Sequence, residues 1–308
     1  MKRNQEHISQ NNISLSNDSS FEYLPEVLNN VQLLDPLSEK AQQKAVRESA
    51  FRAKRKLLQK KYVELHHEVI ARENEGKEKA TFEIGFKARR ITRGGKVENL
   101  PQEFARILKA CEEFITNPKR FPSLYAWGGD GVNNVQCRRL IARVLACILT
   151  NTDLIGGRIG QPTEAGIKTI SWNQIAEDYA LRFGEYVSPE SVASVVRRLK
   201  QAAYLHTERI NVNVNASEGE IRSAAAYKQL SERFFSDLKV VRYPNIVEMI
   251  LATRTRQEKK GLRFAWLDFR TLASKVQEIY NANRLNEHAQ TNASIFNAYH
   301  ANPSLIPH

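Results

Sequence analysis

The segment SPESVASVVRRLKQAA, at residues 188–203, is the most informative stretch of the chain. Ser188, Pro189 and Glu190 predict a helix start, because serine caps the first turn, proline fits the first helical position and an acid is favourable near the amino terminus. The apolar residues that follow recur at helical spacing, as Val192, Val195, Val196 and Leu199. The segment therefore predicts an amphipathic helix with one buried stripe.

Two further helices are predicted before this one. Residues 171–184 read SWNQIAEDYALRFG, and Gly184 is a typical helix stop. Apolar residues share one face of that helix, namely Trp172, Ile175, Ala176 and Tyr179. Another apolar helix is predicted at residues 135–151. Two helices joined by a tight, glycine-containing turn and preceded by a third indicate a tri-helical helix-turn-helix.

A β-hairpin is predicted after the three helices. Ile210, Val212 and Val214 alternate with polar residues, the sequence ASEGE at 216–220 is typical of a turn, and residues 221–228 can return as the partner strand. The short-stranded, glycine-rich segment at 156–170 precedes the second helix. The order of helix, short strand, two helices and hairpin predicts a winged helix-turn-helix.

The polar face of the helix at 188–202 is the candidate for reading DNA. Its side chains not needed for the core are Ser191, Ser194, Arg197, Arg198 and Gln201, which suit base edges and phosphates in a major groove. The hairpin adds Arg209, Asn211, Asn213 and Arg222. Two alternatives stay open: the arginines form an ordinary solvated face, or the fold binds another protein.

The positive charge is concentrated in two segments. The chain carries 46 Lys and Arg against 34 Asp and Glu, a net charge of +12. Residues 40–61 hold nine basic residues and one acid, and residues 254–263 hold five and one, so their charges of +8 and +4 account for the total. The candidate phosphate contacts there are Arg52, Lys54, Arg55, Lys56, Arg254, Arg256, Lys259 and Lys260.

The chain is expected to divide into six parts. They are a disordered leader at 1–35, a basic amphipathic helical arm at 36–76, a helical and β subdomain at 77–134, the winged helix at 135–240, a basic helical region at 241–284 and a flexible tail at 285–308. In the arm, Phe51, Leu58, Tyr62, Leu65 and Val69 form an apolar stripe.

Three features of the 77–134 part are predicted. Alternation at Phe82, Ile84 and Phe86 before Gly94–Gly95 predicts a strand or hairpin, residues 101–117 predict a helix, and residues 119–134 predict a loop. The three tryptophans, Trp127, Trp172 and Trp266, are interpreted as core anchors.

The sequence gives little support for a catalytic site, a metal site or a membrane-spanning segment. The glycine-rich pieces at 128–131 and 156–160 match no phosphate-binding loop, and Ala71 stands where a His67-Glu68 zinc motif needs its second histidine. Cys111, Cys137 and Cys147 are odd in number and lack CxxC spacing. The apolar stretches are far shorter than the roughly 20 residues of a membrane span, and no secretory signal is evident. We expect a cytoplasmic protein without catalytic residues, metal, cofactor or membrane partner.

Four segments resemble plasmid replication initiators of the RepA type, in particular the IncFII-like branch. They are DLIGGRI at 153–159, VASVVRRLKQAAYLHTERI at 192–210, YKQLSERFFSDL at 227–238 and RTRQEKKGLRFAWLDF at 254–269. The resemblance covers about residues 100–280, and the basic arm and leader depart from it. It implies an initiator that binds double-stranded origin DNA and helps recruit host initiator and helicase proteins. Self-association stays open, and the alternative function is a winged-helix transcription regulator or partition factor.

Overall fold

The computed structural model describes residues 36–77, 81–215 and 220–282, so the leader and the tail lie outside it. The described part is mainly helical, with small antiparallel sheets of two strands each, as the sequence predicts. The chain divides into two compact units, residues 1–49 and 50–308, and the surfaces considered below belong to the second.

Helices alternate with short hairpins along the described residues. The helices are α1 (Pro36–Asn74), α2 (Glu103–Thr116), α3 (Pro122–Trp127), α4 (Val135–Leu149), α5 (Trp172–Phe183), α6 (Pro189–Gln201), α7 (Glu232–Leu238), α8 (Pro244–Glu258) and α9 (269–282). The antiparallel hairpins pair β1 (Arg89–Ile91) with β2 (Val97–Asn99), β3 (Gly160–Thr163) with β4 (Gly166–Thr169), and β5 (Leu205–Asn215) with β6 (Glu220–Leu230).

The main core forms around α4. Its inward side chains are inaccessible to solvent, namely Ile141, Val144, Leu145 and Ile148. Helices α2, α5 and α6 pack against it, and α6 contributes the predicted stripe of Val192, Val195, Val196 and Leu199. Because that stripe is buried, α6 is held against the core along one face and its opposite face is left at the surface.

Three residues fix the ends of α5 and α6, and two of them, Gly184 and Ser188, are the ones that the sequence indicates. The Ser171 hydroxyl accepts from the Gln174 backbone N–H, and the Gln174 side chain accepts from the Ser171 N–H, which makes a capping box. Gly184 ends α5 in the left-handed conformation with φ 63°. The Ser188 hydroxyl then caps α6 by accepting from the Ser191 N–H at 3.1 Å. The turn between the two helices is therefore short and locally specified.

The β5–β6 hairpin is longer than predicted and gains a third segment. It begins at Leu205 and ends at Leu230, and its turn at 216–219 lies outside the described residues. The Ile159 N–H donates to the Lys228 carbonyl, and the Leu230 N–H donates to the Gly157 carbonyl, both at 2.8 Å. The stretch before β3 is thereby joined to the base of the hairpin.

The predicted hairpin with a turn at Gly94–Gly95 is present, but its strands do not include Phe82–Phe86. The hairpin of this region is β1–β2, with Gly95 in its turn, while residues 81–84 have no regular structure. The physical reason is the buried Arg182, which donates to the backbone carbonyls of Gly85, Lys87 and Arg89. The chain before β1 curls around that guanidinium, because alternate carbonyls of one extended strand are about 7 Å apart and too far from one another for a single side chain to bond all three.

The predicted loop at 119–134 is also wrong in part. It contains α3, flanked by two short 3-10 helices at Pro118–Arg120 and Asp130–Asn133. Pro122 occupies the first turn of α3, as proline favours. Phe121 and Leu124 are buried, so this segment belongs to the core wall rather than to a free loop.

Within the second unit, α1 packs on α5 and on the turn after it. Tyr62 and Val69 are buried with Ala180 and Leu181 of α5, whereas Phe51 of the predicted stripe is exposed. Two α1 histidines meet the end of α5, with His66 Nδ1 2.8 Å from the Leu181 carbonyl oxygen and His67 Nε2 3.2 Å from that of Gly184. Burial lowers the pKa of His66, so its ring is neutral at pH 7. These histidines serve as docking residues for α1.

We expect Gly184→Ala to destabilise the protein more than Gly76→Ala. Both glycines have positive φ, 63° and 71°, so both substitutions carry the same backbone strain, about 1 kcal/mol. A Cβ at Gly184 would also lie 2.5 Å from the His66 ring, whereas nothing lies within 4 Å at Gly76. Urea unfolding followed by circular dichroism measures the difference, and equal losses for the two variants would contradict the packing of α1 on this turn.

Candidate nucleic-acid interface

The outward face of α6 carries the residues that the sequence assigns to DNA. Arg197 and Gln201 are exposed, and Ser191, Ser194 and Arg198 are half-buried. Ser191 is engaged at the helix start, where it lies 3.0 Å from the Ser188 hydroxyl. The structure thus brings the five residues together on one 13-residue helix. Of its two arginines, Arg197 is more accessible to solvent than Arg198.

Arg198 holds a neighbouring loop. Its guanidinium donates to the Gly128 carbonyl at 2.6 Å, and it lies so close to Gly131 that a Cβ there would be 2.6 Å from it. The acceptor is a neutral carbonyl, so the positive charge of Arg198 is not cancelled by this contact. Arg198 consequently has a structural role, which the sequence pattern did not indicate, next to the face that Arg197 presents.

The basic segment of α1 lies beside the starts of α5 and α6. Arg55 donates to the Asn173 side chain at 2.6 Å, and the Val187 N–H donates to the Gln59 side chain at 3.4 Å. The pKa of Glu190 is lowered by its own backbone N–H and by the Ser188 hydroxyl, with a further contribution from the positive charge of Arg52. Two segments separated by more than a hundred residues in sequence therefore meet at the amino end of α6.

Most of the basic side chains in that segment face solvent. Arg52, Lys54 and Lys56 are exposed, as are Lys60 and Lys61. Arg55 is half-buried, and its guanidinium lies 3.6 Å from the centre of the Phe51 ring. Since no acid occurs between residues 52 and 61, this surface is strongly positive.

The β5–β6 hairpin presents its polar residues outward. Ile210 and Val214 are buried, while Arg209, Asn211 and Asn213 alternate with them and are exposed. On β6, Arg222 is exposed, and its guanidinium lies 5.6 Å from the centre of the Tyr280 ring of α9. Helix α9 also reaches β5, because the Gln277 side chain donates to the Val214 carbonyl at 2.9 Å.

The second basic segment separates into one structural residue and four exposed ones, among them Arg263. Arg254 is half-buried and forms an ion pair with the buried carboxylate of Asp153, and its guanidinium lies 3.6 Å from the Phe264 ring centre. This placement gives Arg254 a structural role, and its contact with phosphate stays a prediction. Arg256, Lys259 and Lys260 are exposed.

Asp153 explains the spacing of the DLIGGRI segment. Its carboxylate accepts from the backbone N–H groups of Ile155 and Gly156 at 3.1 Å, and Arg158 approaches it at 3.3 Å. The aspartate therefore closes a tight turn and holds two arginines, Arg158 and Arg254. The first and sixth positions of this segment form an ion pair within the turn, and the pair of Asp153 with Arg254 ties the turn to α8.

The described residues show no cluster suited to binding a metal ion, and two of the three cysteines are buried thiols. No group of three or more His, Cys, Asp or Glu side chains is placed to hold a metal ion in that part of the chain. Burial raises the pKa of the Cys111 thiol to about 12, and it raises that of Cys147 as well, so both are protonated at neutral pH. Among the same residues, no helix is long and apolar enough to cross a membrane.

Trp127 is the residue that the sequence interpretation placed wrongly. Its side chain is 66% exposed at the end of α3, whereas Trp172 and Trp266 are half-buried as expected of residues at the core. Leu124, three positions earlier on the same side of α3, is buried, so helical spacing gave no signal for the exposure of Trp127. Trp127 is followed by the Gly128 carbonyl that Arg198 holds, so it lies at the flank of α6.

The chain was compared with protein-family models, with curated proteins and with solved structures, and no match was found. A function is therefore inferred from three surfaces of the protein itself: the outward face of α6, the basic segment of α1 and the exposed side of the hairpin.

We expect Arg254→Met to lower the free energy of unfolding by about 2 kcal/mol, because it leaves the buried Asp153 with Arg158 as its remaining cation. The matched control is Arg256→Met, since Arg256 is exposed two positions away and bonds only to its own helix in the contacts seen. Thermal and urea unfolding would compare the two variants. Equal stability would show that the Asp153 pair does not hold α8.

Proposed function

We propose that this protein is a winged-helix DNA-binding protein. Helices α4, α5 and α6 would form the helix-turn-helix, α6 would be the recognition helix, and the β5–β6 hairpin would be the wing. The segment at 157–159 would supply the short strand at the base of the wing, which its backbone bonds to β6 support. This assignment makes α6 the element that enters the major groove.

One observation carries the proposal: the basic segment of α1 meets the amino end of the helix whose polar face is outward. Gln59 accepts from the Val187 N–H just before the cap of α6, and Arg52 acts on Glu190 in its first turn, at the end that recognition helices direct toward base edges. Phosphate contacts from α1 would position the protein, while Arg197, Ser194 and Gln201 would read bases. A protein-binding module would not need this concentration of charge at that end.

The biological role that we propose is initiation of plasmid replication. Its support is the resemblance of residues 100–280 to RepA-type initiators, together with an interface suited to double-stranded DNA. The protein would bind origin DNA in the cytoplasm, act without catalysis or cofactor, and help recruit host initiator and helicase proteins. A transcription regulator or partition factor with the same fold is the second candidate, because it would use the same DNA-binding surface.

A replication test separates the two roles. A vector that carries this gene and its adjacent DNA, but no other origin, should persist in bacteria if the protein is an initiator. The same vector with Arg197→Ala should be lost, while a vector with Arg106→Ala, which changes an exposed arginine on α2, should persist. Loss of all three vectors, with retained binding to the adjacent DNA, would favour a regulator or partition factor.

We expect Arg197→Ala to reduce sequence discrimination about 10-fold or more, because one good arginine contact to a base is worth about 1–3 kcal/mol. The measurement is the ratio of dissociation constants for the adjacent DNA and for unrelated DNA of equal length. Arg106→Ala should leave that ratio unchanged, since it keeps the α6 face intact. An unchanged ratio in Arg197→Ala would remove α6 from the recognition role.

We expect Lys54→Gln with Lys56→Gln to weaken binding to all DNA and to reduce the salt dependence. The slope of log K against log salt is negative, and each lost phosphate contact reduces its magnitude by about 0.9. The double variant should therefore reduce that magnitude by about 2. Lys109→Gln with Lys168→Gln removes the same charge from exposed positions on α2 and β4 and is the control. Equal slopes for the two double variants would show that α1 does not contact phosphate.

A further inference from the structure

Trp127 is an unusual surface residue. It is not one of the residues proposed above to contact base edges or phosphates. Its side chain is 66% exposed, and Tyr125, two positions before it, is 43% exposed. A tryptophan buries more apolar area than almost any other side chain, so leaving one in water gives up a large stabilisation. An exposed tryptophan beside a charged helix face therefore indicates a ligand with a flat apolar surface.

The helix that carries Trp127 is held at both ends. At its start, the Ser123 N–H donates to the Asp237 carboxylate at 2.8 Å, and the buried Tyr204 hydroxyl donates to the same carboxylate at 2.5 Å. At its end, Arg198 holds the Gly128 carbonyl at 2.6 Å. The tryptophan is thus presented from a fixed backbone, which reduces the entropy lost when a ligand binds.

The loop beside Trp127 consists of small residues and one acid, Asp130, and it borders two arginines of α6. The loop after it contains Gly128, Gly129 and Gly131, so no large side chain from these positions shields the ring. A Cβ at Gly128 would lie 2.4 Å from the Leu124 carbonyl oxygen, which means that the close approach of the backbone requires glycine. Arg198 borders the loop and keeps its charge, and Arg197 is exposed on the adjoining helix.

We propose that Trp127 stacks on an unpaired nucleobase of a DNA strand opened next to the duplex that α6 holds. Stacking on an aromatic ring accepts any base, and the arginines beside it suit the strand's phosphates. Paired bases within a duplex have both faces covered by their neighbours, so this site would select an opened strand over intact duplex. The inference rests on the proposed DNA-binding function. It adds a second ligand, single-stranded DNA, at the edge of the same surface.

The test compares two DNA molecules of one sequence, a fully paired duplex and a duplex with a central bubble of about 10 unpaired nucleotides. We expect Trp127→Ala to weaken binding to the bubble roughly 10-fold or more and to leave binding to the paired duplex unchanged. Trp127→Phe, which keeps an aromatic ring, should retain most of the bubble affinity. Tyr243→Ala, which removes an aromatic of 51% exposure before α8, is the matched control and should bind both molecules normally.

A fluorescence measurement reports on the stacking itself. Oligothymidylate should quench the tryptophan emission of the unaltered protein, and the quenching should be absent in Trp127→Phe, because Trp172 and Trp266 are half-buried. Circular dichroism melting would verify that each variant is folded.

The outcomes separate this inference from the proposed function. Unchanged bubble affinity in Trp127→Ala, with normal duplex binding, would overturn the stacking site and leave the proposed function standing. Equal weakening on both DNA molecules would also overturn it, since the effect would not depend on unpaired bases. Loss of self-association in Trp127→Ala with unchanged bubble affinity would assign the ring to a protein contact instead. Failure of the unaltered protein to bind either DNA would overturn both proposals.

Discussion

The turn from α5 to α6 is the constraint on which the functional surface depends. Gly184 adopts a left-handed conformation there, which reverses the chain between the two helices and leaves no side chain at that position. The absence of a Cβ lets His66 and His67 approach the last carbonyls of α5, while Gln59 accepts from the Val187 N–H in the same turn. One backbone position therefore fixes both the direction of α6 and the docking of the basic helix beside it.

Arginines of neighbouring sequence have opposite roles in this protein, and burial is what separates them. Arg197 is exposed, whereas Arg198, one residue later, points 100° around the helix and holds the Gly128 carbonyl. Arg254 is paired with the buried Asp153, whereas Arg256 is exposed on the same helix. The two arginines with structural roles shape the positive surface indirectly, by fixing α3 and α8, and the exposed ones are the candidates for contact with phosphate or base.

Local chemistry made much of the fold predictable, and the failures have particular causes. The capping residues Ser171 and Ser188, the stop at Gly184 and the alternation of Ile210 with Val214 act within a few residues, so α5, α6 and the hairpin follow from sequence. The strand expected at Phe82–Phe86 fails because Arg182, about a hundred residues away, draws the carbonyls of Gly85, Lys87 and Arg89 around it. No periodicity in the sequence encodes that contact.

By itself the sequence determined the mainly helical class with small hairpins, the two concentrations of positive charge and the polar face of α6, because propensity, periodicity and charge are properties of residue type and spacing. Only the tertiary structure decided which of the basic residues are held by contacts within the protein and which face solvent. It also decided that Trp127 lies at the surface and that α1 meets the start of α6. These results depend on contacts between residues far apart in the chain, such as Gln59 with Val187, and burial is set by those contacts rather than by residue type.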